Sequence, residues 1–393
     1  MKVLIINSVC GIRSTGRICT DTAKILIEEG HECKIAYGRE YVPAEFEDIS
    51  YRIGDDSDVR FHALMTRVMD NTGAWSRKAT EKFVRWIEEY DPDIIHLHNI
   101  HGYYINIEVL FRYLQRADKP VVFTLHDCWS FTGHCAHFAY IGCDKWKTQC
   151  EHCSQKAEYP KSSFADNSRQ NYQWKRELFT GIENMTIVTP SRWLADLVKE
   201  SYLKKYDVRV IHNGIDLNAF RPMVSDVKSR LGLENKKIIL GVASSWNDRK
   251  GLSDYLELAK IIEDEYVIML VGVTEAQKKT FPDNVIGITC TDSVKELAEI
   301  YSAADVFVNL TYEDTFPTVN LEAYACNTPV ITYHTGGSVE STPNELVVEQ
   351  GDLSAVWELI KDENYHVDFQ MEVDKNKCLR KYYELYQELI SRK

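Results

Sequence analysis

The chain has 393 residues, 44% of them hydrophobic, and a formal net charge of −13 at pH 7. This length allows two domains, and the acidic balance disfavours non-specific binding to nucleic acid. No uninterrupted apolar run of about 18 residues is present, so no transmembrane helix is expected. An odd count of eleven cysteines argues against a complete disulfide framework.

The first elements predict a nucleotide-binding unit. Residues 2–9 are a continuous apolar strand rather than a signal peptide, which favours a cytoplasmic protein, free or at the inner face of a membrane. A glycine-containing loop at 10–17, a helix at 18–29 and a strand at 33–37 follow. The loop lacks the G-x-G-x-x-G pattern, which disfavours a nicotinamide-dependent dehydrogenase. It is either a tight turn or a loop whose Gly16 lets a substrate approach the backbone.

Two histidines are predicted at strand ends. Residues 58–90 have mainly helical periodicity, and strands are expected at 94–98 and 120–125. His98 ends the first of these strands, and His126 follows the second. Ligands bind at this edge of a parallel sheet, although an isolated histidine is more often a packed, hydrogen-bonded residue.

Four cysteines lie close together in the next segment, at Cys135, Cys143, Cys150 and Cys153. The last two form a C-x2-C pair, the spacing most common in zinc sites. Four thiolates can hold one structural zinc ion and leave no open position for catalysis. Buried free thiols are the alternative.

The first half is predicted to end with regular βα alternation. We expect a helix at 161–183, a strand at 186–189, a helix at 192–200 and a strand at 208–212. The sequence Asn-Gly-Ile-Asp follows at 213–216. A domain boundary is expected between residues 213 and 235.

The second half begins with a strand at 237–242 and a helix at 252–262. The loop between them runs from Ala243 through Ser244 to Gly251 and contains Arg249 and Lys250. An arginine offers a planar fork for phosphate oxygens and a lysine a point charge. A solvated basic pair is the alternative, but both cations lie in an otherwise acidic half. Strands at 266–271, 285–289 and 304–310 and a helix at 292–303 follow.

The segment 312–332 reads as loop, helix, turn and strand, with the helix at 318–326 and Thr318 as its N-cap. Asp314 precedes the helix and Glu322 lies within it. A helix N-terminus favours a phosphate, and flanking carboxylates can accept hydrogen bonds from sugar hydroxyls. The arrangement outlines a nucleotide-sugar site, against the alternative of two solvated acids.

This segment resembles the E-x7-E signature of the retaining glycosyltransferases of group 1, or family 4. Ser14–Ile18 further resembles exopolysaccharide transferases similar to those of colanic-acid biosynthesis, and residues 213–216 resemble the family's NG(V/I)D loop. The resemblance implies the GT-B fold, an α/β architecture of two Rossmann-like domains whose parallel sheets face across a cleft. The expected domains are residues 1–213 for the acceptor and 214–373 for the nucleotide sugar, with a helix at 374–393 that returns to the first domain.

The resemblance also implies residue roles. Asp314 stands where the family usually has its first Glu and would contact the donor sugar, unless Glu313 takes that role; Glu322 would bind the ribose. His126 would orient the sugar. The remaining donor-binding positions are Gly16, Ser244, Arg249, Lys250, Thr318, Val319 and Asn320. The basic pair takes the place of a catalytic metal, so no catalytic cofactor is expected.

The function implied is transfer of a sugar from a nucleotide diphosphate-sugar to a glycan or glycolipid, with retention at the anomeric carbon. This chemistry suits the assembly of bacterial surface polysaccharide. No nucleic-acid partner is expected, and peripheral membrane association is left open. A nucleotide-sugar epimerase of the same architecture and a non-catalytic subunit of a glycan-assembly complex remain alternatives.

Overall fold

The computed structural model describes residues 1–363 and 371–392. The chain divides into two compact units, the first made of Met1–Ile211 with Leu379–Lys393 and the second of His212–Cys378. Each unit contains one parallel sheet whose strands alternate with helices.

The first unit has a seven-stranded sheet in the order β3-β2-β1-β4-β5-β6-β7. Its strands are β1 (Lys2–Ile6), β2 (Glu32–Tyr37), β3 (Ser50–Arg52), β4 (Ile94–Leu97), β5 (Val121–Thr124), β6 (Met185–Thr189) and β7 (Asp207–Val210). Its helices are α1 (Arg13–Glu28), α2 (Asp56–Met69), α3 (Arg77–Tyr90), α4 (Ile107–Arg116), α5 (Ser168–Phe179) and α6 (Arg192–Glu200). The strand order reverses between β1 and β4, so the loops after these strands diverge at the carboxyl edge and leave room for a ligand.

The second unit has a six-stranded sheet in the order β10-β9-β8-β11-β12-β13. Its strands are β8 (Lys237–Val242), β9 (Tyr266–Val271), β10 (Val285–Ile288), β11 (Val306–Asn309), β12 (Val330–Tyr333) and β13 (Val347–Val348). Its helices are α7 (Val227–Arg230), α8 (Leu252–Leu258), α9 (Glu275–Lys278), α10 (Val294–Ala303), α11 (Thr318–Ala325) and α12 (Leu353–Asp362). Here the order reverses between β8 and β11, so the loops after these two adjacent strands start from neighbouring points of the carboxyl edge.

The central strands are apolar on both faces, as a parallel sheet covered by helices requires. All residues of β4, β5, β9, β11 and β12 are buried. Each unit has two hydrophobic clusters that include its strand residues. The rigid centre of each sheet therefore positions the polar loops at its carboxyl edge.

The last helix, α13 (Lys375–Ser391), contributes to the core of the first unit. Tyr382, Leu385 and Tyr386 are buried in a cluster with Val3 of β1. The Tyr386 hydroxyl lies 2.6 Å from Nδ1 of His96, on β4. From Leu379 onwards the C-terminal helix is therefore part of the first unit.

Several boundaries differ from the sequence-based predictions. The polar loop at 10–17 ends at Ile12, because α1 already begins at Arg13. The helix predicted at 161–183 is limited to α5, and the residues before it are irregular. The short strand β3 and helices α4 and α12 were not predicted. Within the described part of the chain, no helix is both long and apolar enough to cross a membrane.

Candidate functional site

Two neighbouring loops of the second unit bring the basic pair and the acidic segment together. The loop after β8 ends in a 3-10 turn at Asp248–Lys250, capped by the Asn247 side chain, which accepts a hydrogen bond from the Lys250 amide. Gly251 follows at φ 75°, and a Cβ there would lie 2.1 Å from the Leu310 carbonyl oxygen. Only glycine permits this close approach to the end of β11.

Arg249 and Lys250 both contact the loop after β11. The Arg249 guanidinium donates to the Glu313 carbonyl oxygen at 2.9 Å, and the Tyr312 amide donates to the Arg249 carbonyl oxygen at 2.8 Å. The Lys250 ammonium lies 2.5 Å from the Asp314 carboxylate. The predicted basic pair is therefore not simply solvated. Since an arginine has five N–H donors and a lysine three, both retain donors for phosphate oxygens.

Asp314 is held as an anion at a fixed position. Burial acts to raise the pKa of its carboxyl, but the charge and hydrogen bond of Lys250 outweigh burial and lower it. Its carboxylate also accepts from the Phe316 amide at 3.1 Å. Its carbonyl oxygen accepts from the Gly337 amide at 3.0 Å, and a Cβ on Gly336 would lie 2.1 Å from that oxygen. Glu313, the alternative first acid, is fully buried.

Helix α11 begins immediately after this loop. Its N-cap position is Pro317, not Thr318 as the sequence suggested, and no side chain caps it. Thr318 and Val319 form the first turn and are partly exposed. An uncapped N-terminus presents backbone N–H groups and the positive end of the helix dipole, which suit an anion.

Asn320, predicted as part of the helix N-terminus that binds the donor, has a side chain that is engaged within the unit. It is fully buried, and its amide group donates to the Ser341 hydroxyl at 2.9 Å and accepts from the Asn309 amide group at 2.8 Å. The side chain therefore fastens α11 to β11 and to the segment after β12. Ser244 lies exposed in the loop after β8.

Glu322 lies one turn further along α11. Its carboxylate accepts a hydrogen bond from the Tyr301 hydroxyl at 3.0 Å. Burial raises the pKa of Glu322 to about 7, against the opposing effect of hydrogen bonds from Tyr301 and Thr318. Tyr301 lies on α10, and nothing in the sequence around it marks it as a partner of Glu322.

In the first unit, histidines gather at the ends of β4 and β5. His98 Nδ1 lies 2.9 Å from His126 Nε2, and His98 is almost completely buried. Burial lowers the pKa of His126 to about 4 and that of His98 further below its usual value. Both imidazoles are therefore neutral near pH 7, which suits positioning by hydrogen bonds rather than ionic attraction.

An acid–histidine pair lies directly beside them and was not recognised from the sequence. His101 Nε2 is 3.0 Å from the Asp127 carboxylate, and His101 Nδ1 is 3.0 Å from the Tyr159 hydroxyl. Burial acts to raise the pKa of Asp127, but His101 outweighs it and holds that pKa well below its usual range. The sequence feature that could have indicated this pair is the position of Asp127 immediately after His126, at the end of β5.

Gly16 lies within α1 rather than in the predicted loop at 10–17. A Cβ there would contact Val9 at 3.1 Å and the Gly11 amide nitrogen at 3.3 Å. The Gly11 amide donates to the Gly16 carbonyl oxygen at 3.1 Å. The missing side chain therefore serves the packing of α1 against the preceding loop.

The four cysteines of the predicted zinc site all lie in the first unit, and each has a free thiol. Together with His134 they line a cavity of about 20 Å³. Cys135 is buried, whereas Cys143, Cys150 and Cys153 are partly exposed.

Comparisons with known proteins agree with these features. A family model described as "Glycosyltransferase Family 4" matches residues 15–219, more than half of the chain, and one described as "Glycosyl transferases group 1" matches residues 236–362. The chain is 27% identical over 260 residues to WcaC of Escherichia coli K12, provisionally named a colanic acid biosynthesis glycosyl transferase. This alignment covers 63% of the chain and 62% of WcaC, less than two thirds of that relative.

Solved structures share the architecture. Sucrose-phosphate synthase of Thermosynechococcus elongatus aligns over 100% of both chains with a TM-score of 0.69 and 18% identity. Anabaena HepE, in complex with UDP and glucose, aligns over 99% of this chain and 100% of its own with a TM-score of 0.65 and 14% identity. The expected α/β fold of two Rossmann-like domains, GT-B, is confirmed. With its two parallel sheets and its match over residues 15–219, the chain belongs to glycosyltransferase family 4.

Proposed function

We propose that the protein transfers a sugar from a nucleoside diphosphate sugar to a hydroxyl of a glycan or glycolipid, with retention at the anomeric carbon. The observation that carries the proposal is the convergence of Arg249, Lys250 and Asp314 beside the uncapped first turn of α11. Two cationic side chains and one carboxylate lie there, beside a helix N-terminus that favours anions. Such a set matches the diphosphate and hydroxyl groups of a nucleotide sugar.

The diphosphate is assigned to the cations. Arg249 and Lys250 bind its oxygens with the N–H groups that remain beyond their contacts to Glu313 and Asp314. The first-turn amides of Thr318 and Val319 face the same negative charge. These groups also stabilise the charge that develops on the departing nucleoside diphosphate, so the second unit supplies what a metal ion supplies in other transferases.

The carboxylates are assigned to hydroxyl groups. Glu322 accepts hydrogen bonds from the ribose, and the Tyr301 hydroxyl fixes the orientation of its carboxylate. Asp314 accepts a hydrogen bond from a hydroxyl group of the donor sugar. It is one methylene shorter than the glutamate usual at this position, and Lys250 together with the Phe316 amide holds it in place. His126 is assigned to orienting the sugar on the strength of the family resemblance.

No side chain need act as the nucleophile. The bond between the anomeric carbon and the phosphate oxygen breaks, and the acceptor oxygen bonds to the same face of the carbon. The acceptor proton passes to the departing phosphate oxygen. Configuration is thereby retained without a covalent enzyme intermediate.

A membrane-bound acceptor fits one surface of the first unit. Helix α2 buries the polar residues His62 and Thr66, whereas Phe61 and Leu64 on the same helix are 53% and 57% exposed. The segment that carries Phe164, 77% exposed, is hydrogen-bonded to the last turn of α2. Exposed apolar side chains flanked by the cations Arg60 and Arg67 suit an anionic lipid surface. We refer to Phe61, Leu64, Met69 and Phe164 as the apolar surface of α2.

The test is nucleotide release from a panel of nucleoside diphosphate sugars, measured with and without a lipid-linked glycan acceptor. A transferase releases nucleoside diphosphate faster when acceptor is present, and the product linkage has the same anomeric configuration as the donor. The donor is first selected by thermal stabilisation, because a ligand that binds the native state raises the midpoint of unfolding. Sugar interconversion without acceptor would instead identify an epimerase, and binding without turnover a non-catalytic subunit.

A further inference from the structure

The segment that follows β5 is ordered with very little regular secondary structure. Between Thr132 and Asn167 it contains one 3-10 turn, Lys145–Lys147. It nevertheless places Phe138 and Trp146 in the main hydrophobic cluster of the first unit. It also carries the four cysteines at 135, 143, 150 and 153. The hydrogen bonds of helices and sheets therefore contribute little to holding this segment in place.

The four cysteines line one cavity of about 20 Å³. The thiols of Cys135 and Cys153 are hydrogen-bonded to each other. In a tetrahedral zinc site with zinc–sulfur bonds of about 2.3 Å, neighbouring sulfurs lie about 3.8 Å apart, a spacing close to that of a thiol–thiol hydrogen bond. Two of the four thiols are therefore already in contact with each other.

The remaining thiols do not yet converge. No three His, Cys, Asp or Glu side chains within residues 1–363 and 371–392 are placed to hold a metal ion as they stand. Cys143 and Cys150 line the same cavity and are only partly buried. Binding of one ion by all four thiols therefore requires these two side chains to change position.

A buried lysine lies in the same region as the cysteines. Lys175 on α5 is 1% exposed, and its ammonium donates to the Trp129 carbonyl oxygen at 2.6 Å and lies 3.8 Å from the centre of the Trp129 ring. No carboxylate in the described part of the chain forms an ion pair with it. Lys175 lines a small cavity together with Asp70 and His134, and His134 also lines the cavity of the cysteines. Four zinc-bound thiolates carry a net charge of −2 and would supply the counter-charge.

A second buried group points into the same place. His134 pairs through Nδ1 with the Asp70 carboxylate, both side chains being almost fully buried, while His134 Nε2 is buried without a hydrogen-bond partner. His134 lines the cavity with the cysteines. A carboxylate behind a histidine is the usual support of imidazoles next to metal centres. A thiolate sulfur in the cavity would accept a hydrogen bond from this nitrogen.

We propose that Cys135, Cys143, Cys150 and Cys153 together bind one structural zinc ion that holds the segment 132–167 against the core of the first unit. The thiol protons pass to solvent when the ion binds, so affinity falls as the pH is lowered. All four positions are occupied by sulfur, which leaves no open position for a substrate. The ion therefore stabilises the loop that continues from His126 and Asp127 and takes no part in bond breaking.

The experiment uses the full chain without a histidine tag, expressed with zinc in the medium. Metal analysis is expected to find about one zinc ion per chain, released when a mercurial modifies the thiols. Reconstitution with Co²⁺ is expected to give the intense visible bands of tetrahedral thiolate coordination. Absence of zinc together with absence of those bands would overturn the proposal, as would a Cys135–Cys153 disulfide in freshly purified protein.

Variants then identify the ligands. C143S and C150S are expected to lose the zinc ion, whereas C290S, at an exposed cysteine of the second unit, is expected to keep it. H134Q is expected to retain one zinc ion with unchanged cobalt bands. Loss of metal in H134Q with retention in C135S would show that the four-cysteine set is wrong. The metal content and the cobalt spectrum of the wild-type chain are measured first. The zinc proposal is therefore tested even if a variant fails to fold.

Discussion

The ammonium nitrogen of Lys250 lies 2.5 Å from a carboxylate oxygen of Asp314, and this pair joins the loops after β8 and β11. Both side chains are only about one-fifth exposed, at 23% and 19%. Lys250 thereby fixes the position of an acid that is shorter than the glutamate of the family pattern. The two residues are best regarded as one element of the site.

Replacement of Lys250 by methionine tests this coupling. The change leaves the Asp314 carboxylate without its cation, and we expect the free energy of unfolding to fall by about 1–3 kcal/mol, less than for a fully buried pair because solvent screens it. The double variant K250M/D314N removes both charges and is expected to recover most of that loss without recovering transfer. Urea denaturation and turnover together check the result. A double variant no more stable than K250M would contradict the pairing.

Arg249 is expected to contribute directly to diphosphate binding. Its charge-assisted hydrogen bonds are worth roughly 1.5–3 kcal/mol, so R249A should weaken binding of the nucleoside diphosphate by about tenfold or more. The matched control is K295A, which removes a cation that is 72% exposed on α10. Calorimetric titration with UDP and ADP measures both. Equal affinities for R249A and K295A would place the diphosphate elsewhere.

Glu322 should make donor binding depend on pH. Burial raises its pKa to about 7 from an ordinary value of 4.5. Because the ionised carboxylate is the form that accepts two ribose hydroxyls, nucleotide affinity is expected to rise as the pH passes through about 7. E322Q should bind more weakly and without this dependence. A wild-type affinity that stays constant between about pH 6 and pH 8 would contradict the assignment.

The same group has a consequence for stability. A carboxyl whose pKa is raised in the folded state stabilises the fold below its unfolded pKa, and that contribution is lost as the pH rises through the folded value. The wild type should therefore lose stability relative to E322Q between about pH 4.5 and pH 7. Thermal unfolding of both proteins over this range measures the difference. A constant difference would show that Glu322 titrates normally.

His98 is expected to hold His126 in place. H98L removes the hydrogen bond to His126 Nε2, and we expect turnover to fall by about tenfold with little change in nucleotide affinity, since one oriented hydrogen bond is lost. H98N retains a hydrogen-bonding group and should keep more activity. The pH profile of turnover should show no histidine titration near pH 6.5, because burial lowers both pKa values. Equal turnover of H98L and the wild type would show that His98 does not hold His126 in place for catalysis.

The apolar surface of α2 is expected to bind lipid. F61S/L64S replaces two exposed apolar side chains and should reduce co-flotation with vesicles that contain anionic phospholipid, because less apolar area can be buried in the interface. I27S/V294S is the control, at two other exposed apolar positions. Turnover with a soluble acceptor should be unchanged. Equal flotation of the two double variants would exclude this surface.

The parallel sheets and the grouping of the loops after β8 and β11 could be predicted from the sequence, because buried strands are continuous apolar runs and their polar ends share one edge. The contact between Lys250 and Asp314 could not, since residues 64 positions apart leave no local pattern. The contacts of the Asn320 side chain could not be predicted either. Its place in the motif suggested a donor contact through the helix N-terminus, and the structure adds that its buried amide group is hydrogen-bonded to Asn309 and Ser341.

The packing around Gly16 and the contact between Tyr301 and Glu322 also could not be predicted from the sequence. A glycine in a polar stretch fits a ligand loop as well as the first turns of a helix, and only the packing of Val9 against it decides between them. The Tyr301 hydroxyl becomes a partner of Glu322 only through the juxtaposition of α10 and α11. The roles of Gly16, His126 and the donor-binding residues stay predictions until the variants are measured.

Gly251 and Gly336 each press against a carbonyl oxygen of the segment 310–314 so closely that a methyl group would have to overlap it. Attempts to re-engineer the sugar preference of this protein by random mutagenesis will therefore find these two positions intolerant, because a side chain at either one displaces the segment 310–314 or the loop that carries the glycine. Libraries are better directed to Ser244 and Thr318, where side chains can be enlarged while the backbone framework of the pocket stays as it is.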